Sequence, residues 1–260
     1  MPSPPSRFLQ GVTNSAPFPF SLLGNLSRPL PMGTADDFDD FMGTYTAAQW
    51  TIQQTGAGTT ADTAGNGGLV LQTTTGANND QQANIRPTAK FLFVGGNQLW
   101  FAYSMQISQA TTSQFTAGLM DTLVGLAPAN GVYFDKPLAG TQINFVLRKA
   151  GVSTTIPIFT PLVAATSVAM GFYYDGRGTP TISAFCSASL TAPVPFGVAS
   201  RPFPGGALTA TASADGTNPN PLTNLPVVNL SMGFGVKTGA AAVITMTSDY
   251  IYAATEVQRF

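Results

Sequence analysis

Between Leu99 and Ile107 the chain reads Leu-Trp-Phe-Ala-Tyr-Ser-Met-Gln-Ile, with Leu, Phe, Tyr, Met and Ile at the odd positions. The even positions fade from Trp100 to Gln106. That period of two predicts a strand with one buried face. Val228–Val236 alternates without a fault, and Ile143, Phe145 and Leu147 form a shorter set, as do Met170, Phe172 and Tyr174. In the last such run, Ile244, Met246, Tyr250 and Tyr252 are expected on one side. Turn signals separate these runs. Asp175-Gly-Arg-Gly178 reads as a tight hairpin, and Gly95-Gly-Asn97, Asn130-Gly131 and Asp215-Gly216 mark loops. No amphipathic helix with convincing caps is found, and Met120–Leu126 makes one turn or two. Roughly a dozen short strands with turns between them predict an all-β protein, an antiparallel β-sandwich or jelly roll over residues 34–260.

Residues 1–33 differ. They hold seven prolines, Pro2, Pro4, Pro5, Pro17, Pro19, Pro29 and Pro31. Proline lacks the N–H that a helix interior or a central strand needs, so this stretch is expected to be an extended arm. It also carries Phe8, Leu9, Phe18, Phe20, Leu22, Leu23 and Leu26. Apolar residues placed along an extended segment point to docking on a neighbour.

Composition narrows the function classes. Only 9% of the 260 residues are charged and 44% are hydrophobic, with a net charge of −1. The mean hydropathy is +0.16. A surface with so little charge repulsion suits a protein packed against other proteins, and a homo-oligomer is expected. Arg148-Lys149 is the only adjacent basic pair, so nucleic acid is not an expected partner. No run of 18 apolar residues spans a bilayer, and Met1–Phe8 lacks the apolar core of a signal peptide. Cytoplasmic synthesis is expected.

From Asp36-Asp-Phe-Asp-Asp-Phe41 to Thr247-Ser-Asp-Tyr-Ile-Tyr-Ala253, the order of features resembles concanavalin-A-like (lectin/laminin-G-like) jelly-roll domains of phage structural proteins. The carriers between are Trp50, Gly67–Leu71, Leu99–Tyr103, Phe115–Leu119, Gly131–Phe134 and Met170–Gly176. Within that group it is most similar to capsid cement or decoration proteins of tailed phages. The resemblance implies a virion structural protein whose partners are the major capsid protein or other virion subunits. It also implies that the segment near Phe38–Phe41 pairs beside the terminal strand near Tyr250–Ala253. The alternative is a carbohydrate-binding module of a tail fibre or other receptor-binding structure.

Candidate chemistry is sparse. Glycosidases need two carboxylates about the scissile bond, and the chain has one glutamate, Glu256, with scattered aspartates. With no histidine, triads and histidine-based zinc sites are excluded, and the single Cys186 cannot make a sulfur site. Cys186 is in phase with Ile182 and Ala184, and reads as a small core residue. The expectation is no enzyme and no cofactor. Asp36, Asp37, Asp39 and Asp40 form the one charge cluster, read as a solvated strand start, with docking on a basic neighbour or a calcium site as alternatives. Trp50 and Trp100 are read as sandwich core before a sugar platform. Trp100, opposite Phe101 and Tyr103, is the one of the two expected to touch a partner. The expected assembly contacts are Phe8, Phe18, Phe20, Leu22, Leu23 and Trp100.

Overall fold

The computed structural model describes residues 34–41, 48–65, 68–77, 80–159, 161–187, 208–213 and 222–256. The arm, with Phe8, Phe18, Phe20, Leu22 and Leu23, and the Asp215-Gly216 turn lie outside the described residues. Within them the strands are β1 Thr34–Asp39, β2 Thr51–Thr55, β3 Thr59–Gly65, β4 Gly68–Thr74, β5 Gln81–Ile85, β6 Gln98–Ile107, β7 Ser113–Met120 and β8 Gly131–Lys136. They continue with β9 Ile143–Lys149, β10 Val152–Phe159, β11 Val168–Asp175, β12 Thr181–Ser187, β13 Leu208–Ser213, β14 Ser231–Thr238 and β15 Thr245–Glu256.

These strands make two antiparallel sheets packed face to face, the sandwich that the alternation predicts. One sheet has eight strands in the order β13-β12-β11-β6-β15-β4-β3, with β1 also paired to β15. The other has seven, β10-β9-β8-β7-β14-β5-β2. Residues Thr245–Ser248 of β15 pair with β4, and Ile251–Glu256 pair with β1. Phe38 stands opposite Tyr252, so the ends of the jelly roll meet as expected.

The inward faces fill with the residues that set the period. Phe101 stacks on Phe172 at 5.1 Å within the eight-stranded sheet and reaches Phe134 of the other sheet at 6.4 Å. Trp50 is fully buried, 5.1 Å from Phe234, and Cys186 is buried beside Ile182 and Ala184. Each such large apolar side chain contributes roughly 1.5–3 kcal/mol by leaving water. Several inward positions are polar, Asn84, Thr73 and Lys136 among them. Lys136 follows Val132 and Phe134 along β8 and is fully buried, donating to the Ser113 carbonyl and, at 3.4 Å, to its Oγ.

Three details depart from the sequence reading. In β15 the pairing slips between Ser248 and Tyr250, a β-bulge at Asp249. The extra residue flips the phase, so Ile244, Met246, Ile251 and Ala253 face the core while Tyr250 and Tyr252 face outward. Second, Met120–Leu126 contributes only a 3-10 turn at Val124–Leu126, with Gly125 and Leu126 at positive φ. Third, the acidic run is not simply a solvated strand start. Asp37 and Asp39 are drawn inward by Arg86, 3.4 and 3.0 Å away, and Asp37 also takes Lys90 at 3.2 Å. The basic neighbour belongs to the same chain. Among the described residues no three acidic or sulfur ligands gather into a metal-holding group.

Candidate functional site

On the seven-stranded sheet the outward positions of β7, β8 and β9 run in lateral rows. Register sets Thr116 beside Asp135 and Asp135 beside Asn144. The next row holds Gly118, Tyr133 and Val146, and the one after it pairs Gly131 with Arg148. Thr116 Oγ1 donates to Asp135 Oδ1 at 3.2 Å. Burial pushes the Asp135 carboxyl above the usual aspartate range, against the pull of Thr116, Gln114, Lys136 and Arg148. Burial also raises the Tyr133 hydroxyl, which Arg148 partly offsets by hydrogen bonding. Among the described residues the buried Arg148 Nε has no hydrogen-bond partner.

The two halves of this face differ. Toward β14 and β5 it is roofed by the Asp121–Ala127 segment. Gln81 Nε2 donates to the Leu123 carbonyl at 3.0 Å, and the Leu123 N–H donates to Gln53 Oε1 at 2.8 Å. Leu126 settles where Gly235 has no side chain, for a Cβ there would lie 2.7 Å from Leu126 Cδ2. Toward β9 and β10 the face opens. Asn144 and Arg148 are partly exposed, and Ser153 and Thr155 are exposed. The result is a half-open surface of carboxylate, guanidinium, amide and hydroxyl groups, with Thr116 and Tyr133 buried at its roofed side.

The eight-stranded sheet carries a different outward face. Trp100, Ala102, Ala169, Tyr250, Tyr252 and Ala254 form an apolar cluster there, with Tyr173 packed against it. Trp100 and Tyr173 rings lie 5.5 Å apart. At one end stands a polar group that the sequence reading did not assemble. The Gln98 N–H donates to Glu256 Oε2 at 3.2 Å. With its amide nitrogen turned toward Glu256, the Gln98 side chain donates to Oε1 at 2.9 Å and accepts from the Tyr173 hydroxyl. That hydroxyl also lies 3.2 Å from Asp175 Oδ2, and Arg177 Nε donates to Asp175 Oδ1 at 3.1 Å. Burial pushes the Asp175 carboxyl up, but the Arg177 bonds hold it below the usual aspartate range. Burial lifts Tyr173 to about 12. The hairpin at Asp175–Gly178 was visible as a turn. Its meeting with Glu256 depends on β6 lying between β11 and β15, which no local pattern reveals.

Of the expected contact residues within the described part, Trp100 does face away from Phe101 and Tyr103, yet it is only 1% exposed. Trp50 is core. Asp135 and Thr116 were not singled out, because each is an isolated polar residue in an alternating strand; Arg148 entered only as half of a basic pair and Tyr133 only within Gly131–Phe134.

No protein-family model and no curated protein matches the chain. Solved structures do. An endo-1,3-β-glucanase from Streptomyces sioyaensis superposes with a TM-score of 0.59 at 12% identity, over 90% of this chain and 100% of that one. Peanut lectin gives 0.53 at 13% identity, over 87% and 99%. An endo-β-1,4-glucuronan lyase from Trichoderma reesei gives 0.51 at 11% identity, over 85% and 95%. At such identities the likeness shows the fold, a lectin-like β-sandwich. It supplies no phage capsid link. It also overturns the expectation that the chain is not an enzyme, since a glucanase and a lyase share its fold. That expectation rested on residues that a few mechanisms require, namely a carboxylate pair or a histidine, and it does not extend to other chemistry.

Proposed function

We propose that the chain binds carbohydrate on the outward face of the seven-stranded sheet, at the open half around Asp135 and Arg148. The observation that carries this reading is the Thr116–Asp135–Asn144 row with Arg148 and Tyr133 beside it. Sugar hydroxyls are both donors and acceptors. A carboxylate accepts from two of them, and a guanidinium and an amide donate to their oxygens. The sheet fixes these groups in register before any ligand arrives, which lowers the entropy lost on binding. The lectin and glucanase among the structural neighbours support the reading. A glycan array tests it with the full chain, Asp135→Asn and Arg148→Met. Binding to a defined glycan that falls at least tenfold in both variants, with melting temperatures kept, is expected. Binding that survives both substitutions, or none to any glycan, contradicts the reading.

A second reading, a phage virion subunit that clasps neighbouring capsid subunits, is favoured by the 9% charged composition. It makes the protein an oligomer within the virion. Copurification with intact particles at a fixed stoichiometry supports it, and absence from purified particles contradicts it.

A further inference from the structure

The centre of the outward face of the eight-stranded sheet, on β6, β11 and β15, is apolar, aromatic and buried. Trp100, Ala102, Ala169, Tyr250, Tyr252 and Ala254 are each at most 3% exposed. The 3-10 turns of the described residues lie against β5, β14, β9 and β10 of the other sheet, so they do not cover it. The rows across it alternate large with small. Register sets Tyr173 beside Trp100 and Trp100 beside Ala254, then Gly171, Ala102 and Tyr252 in the next row. This leaves a trough between aromatic walls. Among the described residues the Trp100 indole Nε1 here is a buried donor with no hydrogen-bond partner. A donor so placed costs about 1–3 kcal/mol unless an acceptor reaches it.

We infer that this trough is the docking site of the chain's own proline-rich segment, residues 17–31. Three observations support that occupant. The first is chemistry. An aromatic-lined groove with an indole donor suits an extended proline-rich backbone, whose carbonyls have no internal partners and whose shape is fixed before docking. Pro17-Phe-Pro-Phe20 and Pro29-Leu-Pro31 alternate proline with large apolar residues. The second is attachment. The segment joins the fold at Thr34, which pairs with Glu256 on β15 at the edge of this face. From there Trp100 on β6 is about two strand spacings away, roughly 10 Å, a reach of three or four extended residues at about 3.1 Å each. The third is Phe38. It is 44% exposed on β1 and meets Tyr252 edge-on at 6.3 Å, extending the aromatic wall toward the point of attachment. Short tethering makes the intramolecular site the favoured one over a neighbour's surface.

The test uses the full-length protein with the photo-crosslinker p-benzoylphenylalanine in place of Phe38. Irradiation is expected to give monomer-sized product joined to residues 17–31. Product of dimer size, or joined only to residues outside 1–33, overturns the inference. A second measurement reads Trp100 directly in a Trp50→Phe background. Deletion of residues 2–30 is expected to raise acrylamide quenching of Trp100 severalfold and shift its emission to the red. Unchanged quenching in a folded deletion variant overturns the inference. Should the deletion not fold, the crosslink still decides.

Discussion

The indole Nε1 of Trp50 donates to Asp39 Oδ2 at 2.9 Å. Asp39 ends β1 of the eight-stranded sheet, and Trp50 directly precedes β2 of the seven-stranded one. Arg86, following β5, bonds the same carboxylate oxygen at 3.0 Å and lies 4.3 Å over the Trp50 ring. One carboxylate thus fastens the edge of the sandwich. Asp39→Ala leaves the indole donor unpaired and removes one of the two carboxylates beside Arg86, which keeps Asp37 at 3.4 Å, and is expected to cost about 1–3 kcal/mol in urea unfolding. Trp50→Phe keeps most of the ring but removes the donor and leaves a void beside Phe234. A loss below about 0.5 kcal/mol for Asp39→Ala, within the range of ordinary surface substitutions, would mean that the network is incidental.

The buried amine of Lys136 sets a pH dependence. Its folded pKa is about 8, lowered by burial from 10.5. Below pH 8 the amine is charged in both states and the full desolvation penalty applies. Between about 8 and 10 the unfolded chain binds more protons than the folded one, so stability rises with pH. Above about 10 the sign reverses. Burial holds the Tyr103 and Tyr250 hydroxyls above their ordinary value, so those of the unfolded chain ionise first. Chemical denaturation across this range is expected to show a maximum near about pH 10. Lys136→Met is expected to remove the rise and to stabilise the protein at pH 7. A flat profile in the parent protein would contradict the assignment.

Two glycines on the seven-stranded sheet separate rigid from yielding neighbours. A Cβ at Gly118 would lie 2.5 Å from the Tyr133 Cα and the Val132 carbonyl oxygen, both backbone. At Gly235 it would meet Leu126 Cδ2 at 2.7 Å and the Ala83 Cβ at 2.8 Å, one of them the end of a side chain on a turn. Overpacking of this kind costs about 1–3 kcal/mol. Gly118→Ala is therefore expected to lower the melting temperature more than Gly235→Ala. The reverse order would show that the Asp121–Ala127 roof is the stiffer neighbour.

The fold was legible where residues alternate and pair locally. Leu99–Ile107 and Met170–Tyr174 became strands with the expected inward faces, and the pairing of Phe38 with Tyr252 follows from how a jelly roll closes. The bulge at Asp249 was not legible, because one inserted residue leaves the composition of the run unchanged while moving Tyr250 and Tyr252 to the outward face of the sheet. The Ala150-Gly151 turn between β9 and β10 was missed for another reason. Both residues take positive φ, as a two-residue hairpin turn requires, and alanine gives no such signal. The polar groups on the two outward faces depend on strand order. Asp135 and Thr116 are 19 residues apart and Gln98 and Glu256 are 158 apart. Only the assembled sheets bring them side by side.

The central claim is that the seven-stranded sheet presents the ligand face, and a backbone-amide chemical-shift titration tests it most directly. The isotopically labelled full chain is titrated with the glycan that binds best on the array. The account predicts saturable shifts concentrated in β7, β8 and β9, around Thr116, Tyr133, Asp135, Asn144 and Arg148, and lost in Asp135→Asn. Shifts concentrated instead at Gln98, Asp175 and Arg177 on the opposite sheet, or no saturable shifts at all, would contradict it.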